Sequence, residues 1–97
     1  MTVARHYKMT AAEGKGEALV DALRALSAAL KSIPGYEGSD LIRGLDDGNH
    51  FVFIEKWTSV EAHKAGGSLL PKDILGGLMG NLAAPPEAAY LTYLSVD

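Results

Sequence analysis

Apolar residues recur along this chain in two rhythms, a period of two over short runs and steps of three or four over longer ones, and these rhythms predict its elements. Residues 3–9 mix Val, His, Tyr and Met without a helical period and read as a first strand. Thr10 and Glu13 have the spacing of a capping box, so a helix is expected to open there. Leu19, Leu23, Leu26, Leu30 and Ile33 line one face of that helix and leave Asp21, Arg24 and Lys31 outward; Pro34-Gly35 closes it. Residues 36–45 and 50–57 read as two strands of a hairpin around Asp46-Asp47-Gly48-Asn49, whose Asp-Gly pair tolerates the positive backbone angles of a tight turn. Thr58 and Glu61 repeat the capping-box spacing, and Gly66-Gly67 is expected to end the second helix. Pro71 fits the first position of a further helical stretch with Leu70, Ile74, Leu78 and Leu82 at spacing four, loosened by Gly76, Gly77 and Gly80. Pro85-Pro86 breaks it, and residues 88–96 form a last strand.

The order strand, helix, strand, strand, helix, strand defines an α+β chain of the ferredoxin-like, split βαβ plan, a four-stranded antiparallel sheet with its helices on one face. On the third strand Phe51, Phe53, Glu55 and Trp57 share one face and His50, Val52, Ile54 and Lys56 the other. The last strand sets Tyr90, Leu94 and Val96 against Leu91 and Tyr93. Both faces carry apolar groups, whereas a sheet covered on one side normally shows water a polar second face. A second copy, packed sheet to sheet, is the expected cover.

Length agrees with that picture. The 97 residues, 47% hydrophobic and 22% charged, make a single domain over residues 1–97, with a core that has little to spare. Nine Lys and Arg against twelve Asp and Glu give a net charge of −3 with no basic run, so no nucleic-acid partner is expected. There is no apolar stretch of membrane-spanning length and no signal-peptide pattern at the first residues, so no membrane partner and a cytoplasmic location are expected. The absence of cysteine removes thiolate metal sites and sulfur nucleophiles.

Candidate chemistry centres on His63 and Trp57. His63 follows Val60 by three residues and points with it toward the sheet; a neutral imidazole there can act as general base or as donor, or can simply be a core-edge histidine bonded to a carbonyl. Trp57, at the junction of strand and helix, either plugs the core or stacks on a flat ligand. His6 and Tyr7 face opposite sides of their strand, so one of them at most reaches a given pocket. Phe53, Leu78 and flexible Met79 complete the candidate lining, with the loose helix around Met79 able to move over a pocket or to pack closely on it. His50, beside a turn, is expected to be solvated. No His, Asp or Glu spacing matches a metal site, and Gly14-Lys15-Gly16 matches no phosphate loop.

From Ile33 to His63 the chain resembles the antibiotic biosynthesis monooxygenase family of dimeric α+β barrel proteins. The likeness rests on Pro34-Gly35-Tyr36-Glu37-Gly38, Leu45-Asp46-Asp47-Gly48, the strand from Phe51 through Glu55-Lys56-Trp57, and Ser59 to His63; Asn81 to Pro86 resembles the family's close before the last strand. The resemblance implies a homodimer and, for its oxygenase members, oxidation of a small aromatic quinol or polyketide-type phenol by O2 with neither metal nor flavin. It implies proton handling by His63 and a pocket wall at Trp57. The haem-degrading branch is disfavoured, since its first-strand Asn is replaced by His6 and Tyr7 and no Trp follows Trp57. The alternatives are a non-enzymatic ligand-binding or stress-associated dimer and an isomerase of small oxygenated metabolites.

Overall fold

A computed structural model describes residues 1–96; Asp97, the last residue of the expected domain, lies outside the described residues. The elements are β1 (Val3–Thr10), α1 (Gly16–Leu30), β2 (Tyr36–Arg43), β3 (His50–Trp57), α2 (Val60–Gly67), α3 (Lys72–Met79) and β4 (Glu87–Thr92). The strands form one antiparallel sheet in the order β2-β3-β1-β4, which is the ferredoxin-like arrangement. The helices cover one face. Among the described residues no helix is long and apolar enough to cross a membrane.

Register decides which side chains meet, because residues directly opposite in an antiparallel pair point to the same face. Tyr7 lies opposite Phe53 and Ala88, and Arg5 opposite Glu55 and Tyr90. This set faces the helices together with Phe51 and Trp57, which are buried. His6 lies opposite Ile54 and Ala89 on the open face. The leucine row of α1 is buried as its spacing requires, with Leu19 and Leu23 fully enclosed against Phe51, Phe53 and Trp57. Leu70, Ile74 and Leu82 pack on this cluster, and Leu78 is part of it.

Four local expectations give way. Thr10 caps no helix: it pairs with His50 in the β1 ladder and its carbonyl accepts from the Ala83 N–H at 2.9 Å, so its backbone is already committed to sheet and bridge. The helix opens later, after Lys15, with no side-chain cap. The second cap is Ser59 rather than Thr58; Thr58 N–H is tied to the Gly35 carbonyl at 2.9 Å, and the Ala62 N–H donates to Ser59 Oγ at 3.0 Å. The hairpin is wider than a tight turn. β2 stops at Arg43, Gly44 N–H donates to the His50 carbonyl at 2.8 Å, and Gly48 has no positive φ. β4 stops at Thr92, so Leu94 and Val96 fall beyond the sheet and are almost wholly exposed. The open face is therefore mixed: Ile42 and Leu91 are exposed there and Val52 and Ile54 half-buried, but Lys56 and Asp40 pair beside them at 3.2 Å.

Candidate active site

Between the helices and the sheet lies a cavity of about 250 Å³. Its polar groups stand on the sheet-and-α2 side, supplied by Tyr7, Glu55, Trp57 and His63, and the rest of the wall is apolar: Met9, Leu26, Leu30, Leu70, Leu75, Leu78, Met79 and Pro86. The volume is near the lower end of small-molecule sites, which suits a ligand of one to three fused rings with a single polar edge.

His63 reaches the cavity because Ser59 caps α2 and places the imidazole in its first turn, above β3 and β1. Both ring nitrogens have partners. Nδ1 lies 2.7 Å from the Tyr90 hydroxyl and Nε2 lies 3.2 Å from the Tyr7 hydroxyl. The indole of Trp57 packs edge-on against the imidazole with centroids 5.5 Å apart, and its N–H donates to Glu55 Oε1 at 2.9 Å. The same carboxylate oxygen is 3.8 Å from His63 Nε2. Arg5 closes the group from β1, its guanidinium 4.2 Å from the centre of the Tyr90 ring and 5.2 Å from that of Tyr7.

Desolvation sets the charge states here. Burial, with help from the positive charges of Arg5 and Lys64, lowers the His63 pKa and holds the imidazole neutral. Burial raises the Glu55 carboxyl, against the Trp57 hydrogen bond and Arg5, which pull it down. Tyr7 is also raised, chiefly by burial and then by Glu55, so it stays a hydroxyl donor. With His63 neutral, one nitrogen carries the proton. A tautomer that satisfies both tyrosines carries it on Nδ1, donating to Tyr90. Nε2 then accepts from the Tyr7 O–H.

Of the residues singled out from sequence, the structure brings Tyr7, Trp57, His63, Leu78 and Met79 to this one cavity. Phe53 lies beneath it, 1% exposed and stacked on Tyr7 with centroids 6.5 Å apart, so it supports the wall without lining it. His6 is not part of the group: one position of β1 alternation sends it to the open face. His50 is exposed beside Asp47. Glu55, Arg5 and Tyr90 were not singled out. Glu55 had a readable signal, a lone charge alternating with Phe51, Phe53 and Trp57 on a buried face; Arg5 and Tyr90 emerge only from strand register. Gly76 and Gly77 have nothing within 4 Å of an added Cβ, so close packing of α3 does not require them. Among the described residues no group of three or more His, Asp or Glu could hold a metal ion.

A small α+β protein with this strand order and an apolar cavity under two short helices defines a class, and comparisons place the chain within it. The family model described as antibiotic biosynthesis monooxygenase matches residues 2–65, and the chain belongs to that family. Among solved structures it is similar to SnoaB, a cofactor-independent oxygenase from Streptomyces nogalater, with 20% identity, TM-score 0.82, and 98% of this chain and 95% of that one covered. It is also similar to PA3566 from Pseudomonas aeruginosa, at 27% identity and TM-score 0.79 over 97% of this chain and 95% of that one. Rv0793 from Mycobacterium tuberculosis matches at 20% identity and TM-score 0.79 over 98% and 97%. No curated protein matches the sequence.

Proposed function

We propose that the protein is a cofactor-independent monooxygenase that oxidises a small aromatic quinol or polyketide-type phenol with O2. The observation that carries the reading is a neutral imidazole, His63, held between two tyrosine hydroxyls at the polar wall of an otherwise apolar cavity. A half-buried neutral base facing an apolar ring site is suited to taking a proton from a phenolic hydroxyl, and the apolar wall keeps water from competing.

The ligand's hydroxyl proton passes to His63 Nε2. Tyr7, displaced from that nitrogen as it is protonated, turns its O–H toward the new phenolate oxygen and donates to it. The electron-rich anion then gives one electron to O2, the resulting pair recombines to a peroxide anion on a ring carbon that bears hydrogen, and the proton held by His63 returns to it to give the hydroperoxide. Loss of water from that hydroperoxide leaves the new carbonyl of a quinone, so one oxygen atom enters the product and the other leaves in water. The oxidant is O2 and the reductant is the ligand itself. Family membership supports this chemistry, and SnoaB is a cofactor-independent oxygenase on the same fold.

A homodimer joined through the open sheet face, in the cytoplasm, belongs to the same reading. Ile42 and Leu91, exposed on that face, favour a second copy as its cover. The test of function is oxygen uptake by metal-stripped protein with a panel of hydroquinones, naphthoquinols and an anthrone, beside His63→Ala. Uptake that depends on His63 is expected. No uptake above background with any substrate counts against the proposal; anaerobic turnover would favour an isomerase, and thermal stabilisation by the ligands without uptake a binding protein.

A further inference from the structure

We propose that Glu55 is a positioning residue for His63: its carboxylate, fixed by Trp57 on the Nε2 side of the imidazole, is the countercharge for the imidazolium formed when His63 takes the ligand's proton. The inference rests on the base role given to His63 above.

Glu55 is the one charged side chain in the buried set among the described residues, 4% exposed. Burying a carboxylate is costly unless something compensates it, so its presence calls for a reason. Holding the indole is not enough. The Trp57 N–H needs a single acceptor oxygen, which a neutral amide would offer as well. Arg5, opposite Glu55 in the β1–β3 register, lends the carboxylate a favourable charge but forms no ion pair with it among the described residues, its guanidinium lying over the faces of Tyr7 and Tyr90. The cationic centre within reach is His63 Nε2, 3.8 Å from Glu55 Oε1.

That separation suits a group that becomes a partner during the reaction. While Nε2 is unprotonated it has nothing to donate to a carboxylate, and it accepts from Tyr7 at 3.2 Å instead. Once protonated it has a donor and a positive charge facing an oxygen already held in place, and a small turn of the ring brings the two into hydrogen-bond range. The other groups facing the imidazole do not serve. Arg5 on β1 and Lys64 on α2 oppose its protonation, while Tyr7 on β1, Tyr90 on β4 and Trp57 on β3 are neutral. From α1 and α3 only apolar side chains, such as Leu26 and Leu78, line the cavity.

The experiment compares the full chain with Glu55→Gln, which keeps an acceptor for the indole. Histidine ring signals followed by NMR through a pH titration, without ligand, report His63 directly. Its titration is expected at lower pH in E55Q than in the wild type, because the imidazolium has lost its countercharge. In oxygen uptake, kcat is expected to fall about tenfold or more with KM changed less than about twofold, and the acidic limb of the kcat/KM profile to move to lower pH. An unchanged or raised His63 titration overturns the inference, as does full kcat in E55Q where His63→Ala is inactive. If His63→Ala is itself fully active, the base role falls and this inference with it, whereas an altered titration still shows the two groups coupled. Should E55Q fail to fold, Glu55→Asp, which withdraws the charge by one methylene, is read by the same criteria.

Discussion

Gly66→Ala is a sharp test of how the site is built. Gly66 is buried near the end of α2, and a Cβ placed there would lie 2.8 Å from Cη2 and 3.1 Å from Cζ3 of Trp57, and 2.9 Å from Cγ2 of Ile33. Neither neighbour can swing aside, since Trp57 is 1% exposed and Ile33 is 7%. Overpacking of this kind costs about 1–3 kcal/mol. Replacing glycine by alanine in a helix returns roughly 0.5–1 kcal/mol, and less so near its end. The steric cost wins, with a net loss of about 1–2 kcal/mol, which for a domain of this size lowers Tm by about 4–8 °C per kcal/mol. Gly76→Ala is the control, because a Cβ there meets nothing within 4 Å and only the helix gain remains. Trp57 is the sole tryptophan, so urea unfolding followed by its fluorescence measures both the stability and any displacement of the indole. Gly66→Ala as stable as the wild type would refute the claim that this glycine exists to seat Trp57 under α2.

Other consequences follow from the same geometry. Because burial raises the Glu55 pKa, this group contributes most to stability below the unfolded carboxyl value and loses that contribution as pH rises through its higher native value. Glu55→Gln is therefore expected to raise Tm at neutral pH by a few degrees, about 4–8 °C per kcal/mol gained, read by calorimetry, while lowering turnover. His63 has the opposite sense: its native pKa is lowered, so the folded state binds fewer protons than the unfolded state as pH falls below about 6.5, and stability drops in that window. His63→Ala should flatten that acid loss in a pH series of urea titrations. Gly67 borders the cavity and a Cβ there meets nothing within 4 Å, so Gly67→Ala should leave Tm within a few degrees yet weaken binding of the larger ring systems, read by ligand-induced thermal shift. For the assembly, light scattering at micromolar concentration is expected to give twice the 10.2 kDa chain mass, and a chain mass alone would remove the dimer.

How legible these features are depends on the range of the interaction that fixes them. The α1 leucines and the alternation of β3 are written in spacing, because burial selects a period, and the structure buries those residues. Thr10 misleads because a capping box is a local pattern, while the pairing of Thr10 with His50 and its bond to Ala83 are not. Likewise Asp47-Gly48 suggested a tight turn, but the chain closes the hairpin at Gly44 and His50 and leaves Gly48 in ordinary backbone space. The site divides along the same line. His63 and Trp57 are visible as rare residue types near a helix start, and alternation alone separates Tyr7 from His6. That Tyr90 meets His63 from 27 residues away, or that Glu55 shares its wall, follows only once β1 is placed between β3 and β4.

In the proposed reaction His63 deprotonates a phenolic ligand inside this cavity before oxygen reacts. Mixing the protein with a naphthoquinol under strict exclusion of oxygen isolates that step, because the bound anion and the neutral quinol absorb differently. The wild type is expected to give an anion spectrum that persists until O2 is admitted and then gives way to the quinone, and His63→Ala the neutral spectrum. A neutral spectrum with the wild type, or an anion formed equally well without His63, would contradict that role for His63.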